Sequence, residues 1–495
     1  MKTLRWAITS SLVGVLFAGT AMAQNTMSSP VQQPGSIRQM AYQSDDYGYA
    51  VADPAPAPAA AAVTPAPAPA AVIPVSPSNT PPAVKPEEKP AAEQPKEEEK
   101  KDDAPAEEEG PYKVFHNGDF GAWEDCHHLD IRGFLDAGAG LNPDSPVTRF
   151  NGPVGYDDRS NELQLNQVYL TAERLTKVEN DCGIDYGYRA DLLYGTDNRY
   201  VRTIPGSEWD SSWNNGNRFY GLAMPQLYGQ LQYNKLTLES GHFYAPCGYE
   251  VPNADGNFFY SHSYGFLYGM PTTLTGAFAT YKVKDKLLVN FGMDTGWNEF
   301  KSLNGKPNYM AGVNWTSADK DGRINVTSEF FIGNTQPSGI DSTRTEFCTD
   351  ITVKLACNWT YVMENTWGHD NDTASSTVPV TRTGPGFGPA SWFGWTNYLL
   401  YNINDCWAAG LRYEWFQDLD GAVVTQDGPP TILEPGSTWN DVTMGLNWKP
   451  NKNVTCRSEV RWDWASNSAP AGLKPFDSGA KNSQFLWGND IIVRF

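Results

Sequence analysis

The side chains that could do acid–base, nucleophilic or metal chemistry are present but not assembled. Six histidines, His116, His127, His128, His242, His262 and His369, are scattered so that no Ser/His/Asp constellation is visible. Glu239, Glu329, Glu364, Glu414 and Glu459 could each serve glycoside hydrolysis, which needs two carboxylates at a defined separation, and nothing selects a pair. Cys126-His127-His128 brings a thiol beside two imidazoles, yet adjacent residues of a strand point to opposite faces and a structural zinc needs four ligands. Glycine-rich nucleotide loops, HExxH and GxSxG are missing from the mature chain. The chain therefore reads as no enzyme, with no metal site, no cofactor and no nucleic-acid partner.

Charge that recurs with a period of two carries a different chemistry. Between Val454 and Trp464, Arg457, Glu459, Arg461 and Asp463 fall on one face, and Val460, Trp462 and Trp464 on the other. Four charged side chains in a row cannot enter a soluble core without heavy desolvation, whereas facing a water-filled lumen they cost little. Arg132 with Asp136, Arg189 with Asp191, Arg412 with Glu414, and the carboxylates Asp294 and Glu329 lie on the polar faces of similar segments. A lumen lined by both signs creates a transverse field that orders dipolar solutes and tunes ion preference. The acidic excess points to a weak preference for cations.

The element that places side chains in this way is a strand of a barrel wall. Leu129, Ile131, Gly133, Leu135, Ala137 and Ala139 share a face against Asp130, Arg132 and Asp136, and Leu287, Val289, Phe291 and Met293 alternate with Asn290 and Asp294. Connections alternate too. Short ones fall near residues 180–183, 234–235, 284–286, 319–322, 357–358, 404–405 and 451–453, and long ones near 142–161, 196–221, 245–270, 298–306, 334–343, 371–390, 418–436 and 465–482. About seven turns and eight loops predict about sixteen strands: an all-β, transmembrane antiparallel β-barrel with both termini on the periplasmic side. Composition agrees, because 17 Trp and 24 Tyr accompany only 40% hydrophobic residues and a mean hydropathy of -0.48. That is the balance of a wall in which every second residue faces water and aromatics gather at the interfaces. The last segment sets Phe485, Trp487, Ile491, Val493 and Phe495 on one face, and its terminal Phe495 resembles the signal by which barrel-assembly machinery recognises outer-membrane substrates.

Ahead of the barrel, which is expected over residues 111–495, two other segments are legible. Lys2 and Arg5, the apolar residues 7–23 and Ala21-Met22-Ala23 form a signal peptide over residues 1–23, cut before Gln24. Residues 24–110 hold Pro-Ala runs followed by Glu97-Glu98-Glu99-Lys100-Lys101-Asp102-Asp103, with too little apolar surface to offset the entropy of ordering. This disordered periplasmic spacer reads as an inert linker before it reads as a cell-wall tether. It carries 6 basic and 14 acidic side chains, and with the +2 of the signal peptide removed, -14 of the net -20 stays on residues 111–495. Seven cysteines leave at least one free or joined between chains. Cys182, Cys357, Cys406 and Cys456 lie at or beside turns that are roughly 10 Å apart on a barrel rim, beyond a disulfide's reach, so their pairing stays unassigned.

The loop at 245–270 holds Tyr249, Phe258, Phe259, Tyr260, Tyr264, Phe266 and Tyr268, an aromatic load that must fold against something. It is expected to turn inward as a constriction, with Glu250 and Asp255 at or near the eyelet beside Tyr249 and Tyr264; packing on itself or on a neighbouring subunit is the competing reading. Gly241-His242-Phe243-Tyr244, Gly248-Tyr249-Glu250, Ser263-Tyr264, Pro271 and Asp294-Thr295-Gly296-Trp297-Asn298, in that order, resemble β-barrel porin family 2 of the planctomycete type. The pairs Arg412-Tyr413-Glu414 and Arg457-Ser458-Glu459 resemble its repeated Arg-x-Glu strand motifs. Cys247 stands where the family usually has an aromatic, so the resemblance, which covers about residues 115–495, implies passive transport but neither pore size nor selectivity. The expectation is an outer-membrane porin for small hydrophilic solutes and ions. Its partners are outer-membrane lipid and the assembly machinery, with a homotrimer by analogy to other sixteen-stranded barrels. A closed anchoring barrel and a secreted carbohydrate-binding protein are the alternatives.

Overall fold

Alternation of apolar and polar residues builds sixteen strands. They are β1 (Asp130–Leu141), β2 (Glu162–Arg174), β3 (Ile184–Gly195), β4 (Gly221–Tyr233), β5 (Leu236–Tyr244), β6 (Thr273–Lys284), β7 (Leu287–Asp294) and β8 (Asn308–Thr316). The second half adds β9 (Ile324–Gly333), β10 (Arg344–Ala356), β11 (Trp359–Asp370), β12 (Ala390–Asn402), β13 (Trp407–Asp418), β14 (Ser437–Asn451), β15 (Val454–Ala465) and β16 (Ser483–Arg494). The computed structural model describes residues 128–176, 183–214, 219–319, 322–334, 342–371, 389–424, 436–466 and 474–495. The expected signal peptide and disordered spacer, and Cys126 and Cys182, lie outside them.

Every strand pairs antiparallel with its chain neighbours, and β1 pairs with β16 to close the barrel. At the closing seam Leu135 faces Val493 and Ala137 faces Ile491, while Gly133 and Phe495 exchange two backbone hydrogen bonds of 2.9 Å. A Cβ on Gly133 would stand 2.6 Å from the Tyr169 carbonyl oxygen and 2.7 Å from the Phe495 ring, so only glycine fits where the last residue crosses the first strand. Closure leaves no strand edge, which a lipid environment requires because it offers backbone groups no partner.

Outward residues are large and apolar, Phe291, Trp462 and Trp487 among the most exposed. Near the turn end, Trp359 stacks on Tyr401 at 4.4 Å and Trp407 on Trp448 at 5.8 Å, rings with the amphipathic character that suits a membrane interface. Turns such as 285–286, 357–358 and 452–453 take two residues, whereas the connections at the other end run from 10 to 28 residues. The long loops begin and end within three residues of the positions expected from composition. Loop 3, between β5 and β6, spans residues 245–272. A disulfide joins its Cys247 to Cys348 of β10, with Cα atoms 6.4 Å apart. Spacing of rim turns could not reveal this pair, because it links a loop to the wall.

Candidate functional site

The inner wall offers loop 3 a row of carboxylates and guanidinium groups, and the loop's own peptide groups meet them. Its neck closes where Ala245 N–H donates to the Thr272 carbonyl at 3.0 Å. Gly248, with φ of +97°, then turns the chain so that its N–H donates to Asp350 of β10 (3.1 Å) and the Tyr249 N–H to Glu364 of β11 (2.7 Å). Farther along, Tyr264 and Gly265 donate to the two oxygens of Glu414 at 2.6 and 2.7 Å. Tyr260 and Ser261 donate to those of Glu459 at 2.8 and 3.0 Å. The arginines take the carbonyls. Arg457 Nη1 donates to Ala254, Asn257 and Phe259, Arg412 Nη1 to Ser261, and Arg461 Nη1 to His262, all within 2.6–3.0 Å. An irregular segment buried away from water must satisfy each peptide group individually, and charged partners do so more strongly than neutral ones.

Glu250 is the one loop carboxylate drawn fully into this wall. It accepts from Arg412 Nη1 at 2.9 Å, Tyr398 Oη at 3.0 Å and the Ser263 N–H at 2.8 Å, with His262 Nδ1 at 3.1 Å. Burial alone would push its carboxyl up, but the Arg412 guanidinium and the donors of His262 and Ser263 outweigh it and hold it at about 2. Asp255 stays partly exposed, bonded to Asn253 and 3.6 Å from Arg494. Tyr249 packs on Tyr398 with ring centroids 4.8 Å apart, and Tyr264, fully buried, donates its hydroxyl to Asp463 at 2.9 Å.

The other expected lining residues fall into two groups. Arg412, Glu414, Arg457, Glu459, Arg461 and Asp463 point inward as their parity requires, but they are buried beneath loop 3 rather than bathed in the lumen. Asp136 is buried there as well, near Asp490 and Arg457. Away from the loop, Arg189 pairs with Asp191 at 2.9 Å and with Glu173 at 3.0 Å, and Arg132 pairs with Glu173 at 2.6 Å and with Asp130. Asp294 caps the Gly296 N–H at 2.9 Å, and Glu329 accepts from Asn290 at 2.5 Å. The arrangement therefore provides anchoring under the loop and ion-paired, part-exposed charge beside it.

Sequence reasoning passed over several residues on which the loop rests. Asn166 and Gln167 of β2 bond Tyr260 Oη and the Pro252 carbonyl, and Trp392 Nε1 of β12 donates to Gly269 at 3.0 Å. Trp392, Phe416 and Trp439 form with Tyr264 an apolar cluster inside the barrel. Inward parity on β12 to β14 was a signal that could have found the three aromatic residues. Loop 3 thus touches β10 through β16, β1 and β2, and its Ala245 and Cys247 pack against Met310 of β8 and Phe331 of β9; nearer the turn end the inner faces of β4 and β6 to β9 carry half-buried neutral groups such as Gln230, Thr280, Asn290, Asn314 and Thr327. Among the described residues no three His, Cys, Asp or Glu side chains gather as metal ligands would.

The sequence pattern of the family described as "Putative beta-barrel porin-2, OmpL-like" matches residues 128–495. No curated protein matches the chain. Among solved structures, the outer membrane channel DcaP of Acinetobacter baumannii is similar at 12% identity and a TM-score of 0.50, covering 74% of this chain and 97% of that one. An anion-selective porin from Comamonas acidovorans follows at 9% identity and a TM-score of 0.49 (74% and 99%), then OmpT of Vibrio cholerae at 10% and 0.42 (74% and 97%). At such identities the likeness to DcaP speaks for the shared barrel fold alone.

Proposed function

The chain belongs to the beta-barrel porin-2, OmpL-like family, and from that premise we propose that it is an outer-membrane porin through which small hydrophilic solutes and ions diffuse passively, narrowed by loop 3. The observation that carries this reading is the contrast between the two halves of the inner wall. One half holds an ordered loop by charged side chains, and the turn end of the other presents half-buried neutral polar groups suited to water. A transport role needs no cofactor and no catalytic residue, and the inward charges act as anchors and field sources. Assembly as a homotrimer, insertion by barrel-assembly machinery acting on Phe495, and a spacer lying in the periplasm complete the proposal.

The breadth of loop 3's anchoring favours one rival, a barrel so well covered that it conducts nothing and serves attachment. Planar-bilayer recording of correctly folded protein separates the two. Stable single-channel steps support the porin, and their absence defeats it. Deleting residues 251–262 is expected to raise conductance severalfold without abolishing insertion, and unchanged conductance would take the loop out of the permeation path.

A further inference from the structure

Most carboxylates of the barrel strands are withdrawn from lumen water, whereas several lysines are not. None of the carboxylates of β6 to β16 is more than 8% exposed, because each is buried against loop 3, a neighbouring strand or a guanidinium group. On β1 to β5 the inward carboxylates that reach water are Asp130, Glu162 and Asp185, which pair with Arg132, Arg159 and Arg174, and Glu239, which lies beside Gln230. Lysines are disposed otherwise. Lys282 of β6, Lys354 of β10 and Lys449 of β14 are all exposed, stand at the turn ends of their strands, and share the inward parity of Thr280, Asp350 and Asn447. Lys354 and Lys449 pair with no carboxylate among the described residues. Lys282 has only Asp285 at 3.1 Å, a turn residue 93% exposed, and such surface pairs contribute little.

These three positions are spaced four strands apart, about 20 Å along the wall at the usual strand separation. They span half of the rim at the turn end, which is the periplasmic end in barrels of this kind. Between β6 and β10 the wall nearer the turn end carries Asn290, Asn314 and Thr327, neutral groups that do not offset them. Charges at a narrow, low-dielectric opening raise the local concentration of counter-ions, and the effect extends about one screening length. We propose that Lys282, Lys354 and Lys449 form a basic periplasmic mouth that makes this channel select small anions, against the sign of its acidic composition. The proposal rests on the porin reading and specifies the class of solute that the porin favours.

The test is the reversal potential of the full mature chain in a planar bilayer under a KCl gradient. The expected chloride-to-potassium permeability ratio is above one, falling at least twofold in the K282Q/K354Q/K449Q variant. A wild-type ratio below one, or an unchanged ratio in the variant, would overturn the proposal. Should the variant fail to fold, the wild type decides by itself. Its preference must shrink between 0.1 M and 1 M salt, as the screening length falls from about 10 to about 3 Å, and a preference indifferent to salt rejects the mouth as its origin. Channel steps with potassium preference reject this inference and leave the porin standing. A folded barrel without steps rejects both.

Discussion

Arg412 is the residue on which most depends. Buried completely, it pairs with Glu250 of loop 3 at 2.9 Å and with Asp441 of β14 at 3.2 Å, and it also holds the Ser261 carbonyl. Removing one partner of a buried pair leaves an uncompensated charge, at about 3–5 kcal/mol. Arg412→Met should therefore destabilise the barrel by that amount in urea unfolding from lipid vesicles. Adding Glu250→Gln should recover more than 1 kcal/mol by neutralising one stranded carboxylate, and strictly additive effects would show that the two do not interact. The inward direction of Arg412 was legible from its alternation with Leu411 and Tyr413. Its burial was not, since periodicity assigns a side chain to a face without saying what covers that face. The cover here comes from a loop 162 residues earlier in the chain.

Strands and loops were far more legible than contacts. The turn at Cys357-Asn358 and the long loop at 142–161 occupy the positions their composition marks, because turn residues interrupt a two-residue period abruptly. Loop 3's inward course was signalled only by its aromatic content, and its fastening by Cys247 and Cys348 had no signal, since disulfide pairing depends on proximity in space. The closing seam makes a prediction at this scale. Gly133→Val places carbons where the Tyr169 carbonyl and the Phe495 ring already stand, an overpacking worth about 1–3 kcal/mol. On refolding of the purified chain into detergent, without assembly machinery, a smaller fraction of heat-modifiable, folded barrel should result, and removal of the ring by Phe495→Ala should relieve part of the defect. Equal yields for Gly133→Val in both backgrounds would disconnect the glycine from the terminal ring.

For the whole molecule, the membrane is the solvent that fixes which substitutions hurt. Val460 lies midway along β15 on the outward face, while Trp448 lies at the turn end of β14. An arginine costs about 2–4 kcal/mol at the bilayer midplane and about 0–1 kcal/mol near an interface. Val460→Arg should thus lower unfolding stability in vesicles well beyond Trp448→Arg, and equal losses would contradict the assigned depth. The alternation of short and long connections foretold a barrel of this size, and composition agreed with it. Net charge is a poorer guide to what water meets, because acidic groups such as Asp441 and Asp463 are buried against arginines while Lys354 and Lys449 stay exposed.

The anchoring of loop 3 also dictates an order of events in time. The segment is made early, yet Tyr260 finds its partner Glu459 199 residues later, and Ala254 finds Arg457 203 residues later. Until those last strands have joined the wall, the peptide N–H groups of Tyr260 and Ser261 lack their Glu459 partner and the carbonyls of Ala254, Asn257 and Phe259 lack Arg457. Loop docking can only follow near-completion of the cylinder, so the nascent chain must be sheltered through the interval, and a molecule halted before closure would expose the very surface most prone to aggregate.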